Sequence, residues 1–223
     1  MASPSLVQPY SSASAARIVG KTDLQTSDSK WVGLKSIDWV DEDGKTRKWE
    51  SAERKTRSEG GIDAVSIFTL LQSTNPSTSP STIIILQYRP PLQAICVEFP
   101  AGLIDKGETP EQAAVRELRE ETGYGADGKE DRVGVVHASA AIGADPGMSN
   151  ANMKLVTLKV TVEDGELEPK AQLDEGEHIE KRRVPLNQLY EVLQGYEKLG
   201  YVVDARLSHF AWGLEVGKKY LKN

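Results

Sequence analysis

Cysteine is almost missing: Cys96 is the only one in 223 residues. A disulfide framework within the chain and a cysteine zinc site both need several, so both are excluded, and the composition suits a reducing compartment. Long hydrophobic runs are missing too. The longest aliphatic stretches resemble Ile83-Ile84-Ile85-Leu86, far short of the ~20 apolar residues a membrane-spanning helix requires. Positive charge is in deficit, with 27 Lys and Arg against 33 Asp and Glu and a net charge of −6. Nucleic-acid binders usually carry a basic face, so backbone binding to nucleic acid is not expected as the main task. An acidic protein that handles anions needs metal ions or local arginines. The segment 1–20 is rich in Ser and Ala, with one basic residue, Arg17, and no acid. It has no long apolar stretch, so no secretory signal is expected. Mitochondrial transit peptides share this composition, but one arginine is few for such a peptide. The expectation is a flexible tail over 1–29 and a cytoplasmic or nuclear protein.

What is present is a mixture of strand and helix signals. Trp31 to Val40 and Lys45 to Ser51 read as strands joined by Asp41-Glu42-Asp43-Gly44, whose Asp-Gly pair favours a tight hairpin turn. This hairpin forms a small module over 30–60, followed by one larger domain over 61–223. Further strands are expected at Ala64 to Leu71, Thr82 to Tyr88, Ala94 to Phe99 and Lys154 to Val162. The second of these is an apolar run of the kind buried on both faces. Thr109 to Thr122 carries helix signals: Thr109 as cap, Pro110 in the first turn, Gly123 as terminator. Leu186 to Gln194 and Ala205 to Lys219 read as helices, the second capped by Asp204. No internal repeat is found. Strands and helices are not in regular βαβ alternation, so an α/β fold of the α+β type, or a sandwich of layers, is expected rather than a doubly wound sheet.

The chemistry concentrates in Gly102 to Tyr124, GLIDKGETPEQAAVRELREETGY. On a helix, Glu117 and Glu121 lie one turn apart on one face with Glu120 beside them. Three clustered carboxylates repel one another unless positive charge sits among them. Arg116 and Arg119 offset part of that, and a divalent cation would offset more. Oxygen-only donors select hard ions, which makes Mg²⁺ the expected metal and Mn²⁺ the alternative. Taken alone, such a helix could equally be a solvated face with i,i+4 charge pairs.

The spacing Gly102, Glu108, Arg116-Glu117-Leu118, Glu120-Glu121, Gly123 and Tyr124 resembles the complete signature of the Nudix hydrolase family, with Tyr124 in place of the usual aliphatic residue. The resemblance implies an α/β/α sandwich with a mixed central sheet, and hydrolysis of a nucleoside diphosphate linked to another group. It implies Glu117, Glu120, Glu121 and the Ala101 carbonyl as metal ligands, and Glu108 with Arg116 as ionic contacts that hold the loop on the helix. Segments from Lys30-Trp31-Val32 to Val203-Asp204-Ala205-Arg206 look like the eukaryotic ADP-ribose/ADP-sugar pyrophosphatases of that family. In this light the substrate is expected to be ADP-ribose and the products AMP and ribose 5-phosphate.

Trp31 and Trp49 then stack the adenine from two protomers of a homodimer that exchanges the N-terminal β module. Taken alone, either Trp is more often a packing residue. Arg54 and Arg89 are candidate contacts to phosphate or terminal ribose, because guanidinium offers planar paired donors. Glu98 faces the pocket, and Asp145 is a ribose contact from the partner subunit. Arg47 and Arg57 are expected to be solvated charges. A base must activate water. In Leu173-Asp174-Glu175-Gly176-Glu177-His178-Ile179-Glu180 the matching acid is Glu177, with Glu175, Glu180 and His178 as rivals. Three other functions fit the residues less well or more broadly: a diphosphatase for several ADP-sugars or oxidised nucleotides, a silent ADP-ribose sensor, and an RNA decapping enzyme. The intact glutamate set argues against the sensor, and the negative charge against decapping.

Overall fold

The computed structural model of the protein describes residues 6–11, 16–25, 27–57 and 60–221. Strands β1 (Val32–Val40) and β2 (Thr46–Arg54) form an antiparallel two-stranded sheet, with one further bridge from Ala52 to Ser149. Their turn is closed as the Asp-Gly pair suggests. Asp41 accepts from the backbone N–H of Asp43 and Lys45, and Gly44 takes φ +76°.

The second sheet holds β3 (Ala64–Ser73), β4 (Ser81–Arg89), β5 (Ala94–Glu98), β6 (Ala101–Leu103), β7 (Val133–Ala138), β8 (Ile142–Gly143), β9 (Asn152–Val162), β10 (Ile179–Pro185) and β11 (Val202–Val203). Its main order is β11-β5-β4-β3-β9-β7, with β10 on β4, β6 on β3 and β8 on β9. β3 with β9 and β11 with β5 run parallel and the other pairs antiparallel, so the sheet is mixed. Helices are α1 (Pro110–Thr122), α2 (Leu189–Lys198) and α3 (Ala205–Tyr220).

The apolar run in β4 explains the layering. Ile84 and Leu86 face a core with Val184, Leu189, Leu193, Tyr196 and Leu207, beneath α2 and α3. Ile83 faces the other core, with Val65, Ile67, Val156 and the α1 residues Ala113, Ala114 and Leu118. A strand covered on both sides has no need of polar alternation. Each such side chain contributes roughly 1.5–3 kcal/mol by burial. The result is the expected α/β/α sandwich. Among the described residues no helix is long and apolar enough to cross a membrane.

Three departures from the sequence reading have physical causes. β2 runs on to Arg54, paired with Val32, which carries that arginine to the edge of the larger domain. Helix α2 begins at Leu189 because Leu186–Gln188 form a 3₁₀ turn. β10 was legible only as loop and charge, since Glu180, Lys181, Arg182 and Arg183 fill its centre. Its strand state depends on β4 beside it and on partners for those charges.

The tail is not wholly free. Leu6 and Val7 pack on the core beside α2, and Tyr10 is buried in it. The Tyr10 N–H donates to Tyr201 Oη at 2.9 Å, and Tyr196 Oη donates to the Gln8 carbonyl at 3.2 Å. Three apolar side chains in six residues were enough to dock a segment whose overall composition reads as linker. Residues 1–5, 12–15 and 26 of the expected tail, and 58 and 59 of the expected module, lie outside the described residues.

Candidate active site

Helix α1 is fixed at both ends by its own sequence. Thr109 Oγ1 accepts from the Gln112 N–H, Gln112 Oε1 accepts from the Thr109 N–H, Pro110 opens the first turn and Gly123 closes the last in the left-handed region. Lys181 reaches from β10 to the carbonyls of Thr122 and Pro169, satisfying a carbonyl at the buried C-terminal end of the helix. Its ammonium also lies 5.1 Å from the centre of the Tyr124 ring. The aromatic residue that departs from the family pattern is thus buried beneath a cation, a favourable contact that an aliphatic side chain would not make.

The helix presents its acids toward the loop before it. Arg116 donates with all of its nitrogens: Nε to Glu108 at 2.9 Å, Nη2 to Glu108 at 2.9 Å and to the Leu103 carbonyl at 3.0 Å, Nη1 to Glu117 at 2.8 Å and Glu120 at 3.0 Å. It ties loop to helix, as the resemblance implied, and its donors are committed to the protein. Arg116 is therefore a positioning residue. The side-chain bond from Arg116 holds the Glu108 carboxyl below its ordinary value. Gly102 is required by the same packing: a Cβ there would stand 1.9 Å from the Glu117 carboxylate.

Glu121 is buried and accepts from the Ala101 N–H at 3.1 Å. Burial first, then the neighbouring Glu117, push its carboxyl up to about 9, with Glu177 adding to the rise. Glu117 is also raised, by burial and by Glu120 and Glu177, against the pull of Arg116. Two raised carboxylates side by side form a site short of positive charge.

Beside this helix lies a cleft of about 530 Å³. Arg54, Arg89, Glu98, Ala101 and Gly102 line it, together with Ser66, Phe99 and Met153. Arg89 forks onto the buried Glu98, with Nε–Oε1 at 2.9 Å and Nη2–Oε2 at 2.5 Å. Two further residues line it, Asp204 and Arg206, which were read as a helix start and as part of the segment resembling the ADP-ribose/ADP-sugar pyrophosphatases but not as site residues. Arg206 donates to Asp204 through Nε at 2.8 Å, while the Asp204 side chain caps α3. Their spacing across the cap was the available signal, since a cap acid followed two residues later by arginine puts both at one helix end.

Several expected site residues stand elsewhere. Trp31 and Trp49 do not line the cleft of their own chain and are exposed, and Asp145 does not line it either. The 145–150 loop instead packs on β2: the Ala52 N–H donates to the Met148 carbonyl at 2.9 Å, and Trp49 Nε1 to the Gly147 carbonyl at 3.2 Å. Arg57 corrects the expectation of a solvated charge. It forks onto Asp63 at 2.8 and 2.9 Å and reaches the Asn150 carbonyl at 2.6 Å, joining the module's end to the sheet. In the 173–180 loop, Glu177 closes its own turn through its N–H to the Asp174 carbonyl at 3.1 Å, and its charge bears on Glu117 and Glu121. Glu180 is held instead by Arg182 and Ser11.

The description of a Nudix domain matches residues 75–205, which span this helix, strands β4 to β6 and β9 of the cleft, and the acid loop. The chain belongs to the Nudix hydrolase family. This Nudix chain is 44% identical to an uncharacterised Nudix hydrolase of Schizosaccharomyces pombe over 93% of its length and 97% of the relative's. It is 41% identical to the ADP-ribose pyrophosphatase of Saccharomyces cerevisiae, over 88% of this chain and 82% of that one. It is 38% identical to the ADP-sugar pyrophosphatase of Mus musculus, over 84% and 82%. A solved structure described as an ADP compounds hydrolase aligns at 21% identity over 78% of this chain and 80% of its own, with a TM-score of 0.49.

Nudix hydrolases generally need a divalent metal. The residues here fit one by their chemistry: oxygen donors only, two of them carboxylates that burial leaves short of positive charge. Among the described residues no three acidic, histidine or cysteine side chains yet converge in ligating geometry. Arg116 occupies oxygens of Glu117 and Glu120 in this arrangement.

Proposed function

We propose that this Nudix hydrolase cleaves the pyrophosphate of ADP-ribose to AMP and ribose 5-phosphate, with Mg²⁺ as the metal and Mn²⁺ as its substitute. The observation that carries the reading is the adjacency of the buried Glu121 and the half-buried Glu117 to an arginine-lined cleft, in a chain whose named relatives act on ADP-ribose and ADP-sugars. Glu117, Glu120, Glu121 and the Ala101 carbonyl would hold the metal. Bound there, it would neutralise the pyrophosphate and lower the pKa of the attacking water. Glu177 takes the proton from that water. Arg54 and Arg89 bind phosphate and terminal ribose, with Glu98 orienting Arg89. Arg116 keeps the helix acids in register.

Base recognition is proposed to need a second copy. Trp49 lies opposite Ile37, and Trp31 lies six residues from Ile37 along the same hairpin. At ~3.4 Å per residue the two rings of one chain are about 20 Å apart, too far to hold one adenine between them. Two rings on one base therefore come from two protomers, with Asp145 reaching the ribose from the partner. The hairpin supports this. It forms no wider sheet, and it exposes Leu34, Ile37, Trp39 and Val40. An isolated hairpin is marginal in water, and apolar residues left exposed on both of its faces ask for a partner.

The test is product analysis of a panel of nucleoside diphosphate compounds with Mg²⁺ or Mn²⁺. AMP and ribose 5-phosphate from ADP-ribose, in preference to the other members, support the reading. Equal rates on several ADP-sugars or oxidised nucleotides would favour the broader diphosphatase, and tight binding without turnover the sensor.

A further inference from the structure

We propose that the N-terminal strap, residues 6–11, positions the base loop, and that Tyr10 is the residue through which it does so. The proposal rests on the assignment of Glu177 as base. The strap lies across β10 and α2. Tyr10 is 6% exposed, and its Oη donates to the His178 carbonyl at 2.7 Å. His178 is the residue directly after Glu177 and directly before β10. On its first side the Glu177 turn is closed by the Glu177 N–H on the Asp174 carbonyl and the Asp174 N–H on Glu177 Oε2 at 3.2 Å, and on its second the chain enters β10, where Ile179 pairs with Gln87 of β4. Gly176 within the turn takes φ +87°, so the loop has little stiffness of its own. Between the turn and that pairing, Tyr10 fixes the His178 carbonyl, the peptide next to Glu177.

The strap is itself seated by specific features. Arg182 Nη2 donates to the Pro9 carbonyl at 3.1 Å, and the Ser11 N–H donates to Glu180 at 2.8 Å. Val7 rests on Gly195 of α2, where a Cβ would stand 2.6 Å from Val7 Cγ2. A glycine inside a helix is unfavourable relative to alanine, so this position trades helix propensity for a place to dock the strap. Glu180 and Arg182, charged residues in a strand, find their partners here. None of the strap residues lines the substrate cleft. Its influence is therefore on the placement of Glu177 and not on the binding of substrate, which in kinetic form is a change in kcat with KM retained.

Two variants test this in the full-length protein, with ADP-ribose and Mg²⁺. Tyr10→Phe keeps the buried ring and removes the bond to His178. Gly195→Leu displaces Val7 from the α2 side with the sequence of the strap and the loop unchanged. Each is expected to lower kcat about tenfold with KM within about twofold, a loss typical of a misplaced catalytic group. Hydrogen exchange of the 174–178 amides is expected to rise in both. In a Glu177→Gln background, Tyr10→Phe should cause no further loss, because it acts through the same carboxylate. Full kcat in folded Tyr10→Phe, unchanged exchange in the loop, or losses that add in the double variant would each overturn the proposal. Full activity of Glu177→Gln alone would remove the base assignment and the strap's role with it. Impaired Glu177→Gln beside fully active Tyr10→Phe would remove only the latter.

Discussion

Replacing Glu121 by Gln should abolish hydrolysis and yet stabilise the metal-free protein at alkaline pH. The unfolded chain ionises this carboxyl near 4.5, whereas burial and Glu117 push it up to about 9 in the folded state. Between those values the folded state binds the proton that the unfolded state releases, so stability falls as pH rises. Below about 4.5 both states are protonated and the group contributes nothing. At pH 8 the difference spans about three and a half units at ~1.4 kcal/mol each, and relaxation around the coupled Glu117 reduces it, leaving on the order of 2–5 kcal/mol. Gln keeps the shape, stays neutral and still offers an acceptor to the Ala101 N–H. In EDTA at pH 8 the Glu121→Gln melting temperature should exceed the wild type by about 5–15 °C, given roughly 2–4 °C per kcal/mol for a chain of this size. The gap should close toward pH 4.5. Saturating Mg²⁺ should raise the melting temperature of the wild type and leave the variant nearly unmoved. The assay is calorimetry across pH with and without metal. A variant less stable than wild type at pH 8 in EDTA, or a gap independent of pH, would refute the account of Glu121 as a carboxylate kept waiting for a cation.

Glu177→Gln should lower kcat by about 10²–10⁴-fold with a smaller change in KM, while Glu180→Gln, whose carboxylate is held by Arg182 and Ser11, should keep most of its turnover; steady-state kinetics that reversed the two would reassign the base. Trp31→Ala and Trp49→Ala should each raise KM roughly tenfold or more, as expected for a stacking loss of about 1–3 kcal/mol. Mixing the two under subunit exchange should restore up to about half of wild-type activity below KM, and verified exchange without recovery would mean that the clamp is not shared between protomers. Arg116→Lys cannot satisfy five acceptors with three donors, so it should cost at least about 2 kcal/mol of stability and reduce kcat. Because Arg116 holds Glu108 low, that stability difference is present above pH 4.5 and fades as pH falls through the lowered value, which an acid titration of both proteins would check.

Much of the architecture was legible because it rests on local chemistry. The Thr109 cap, Pro110 and Gly123 mark α1 within a residue of its ends, and the Asp-Gly turn marks the first hairpin. The β4 run announced burial on both sides, and both cores meet on it. Glu117, Glu120 and Glu121 could be placed on one helix face from helical spacing alone. β10 was illegible for the converse reason. Three of its four central charges, Glu180, Lys181 and Arg182, find hydrogen-bond partners in Thr122, Pro169, Gln8, Pro9 and Ser11, residues 12 to 174 positions away, and no local pattern encodes such partners.

The reaction class was legible through the resemblance of Gly102 to Tyr124 to the Nudix signature, whereas helical spacing by itself only gathered the acids on one surface. The environment of those acids was not legible. That Glu121 is raised and Glu108 lowered depends on burial and on which carboxylates Arg116 reaches, and both arise when the 102–108 loop folds back on the helix. The same holds for Arg57, which composition leaves as a surface charge and which the fold locks onto Asp63. It holds for Asp204 and Arg206, brought from the far end of the chain to the cleft, and for Tyr10, whose distance from His178 is 168 residues in sequence and one hydrogen bond in space. Side-chain chemistry is a property of the residue, but desolvation and charge proximity are properties of the packing, and they exist only once distant segments share a surface.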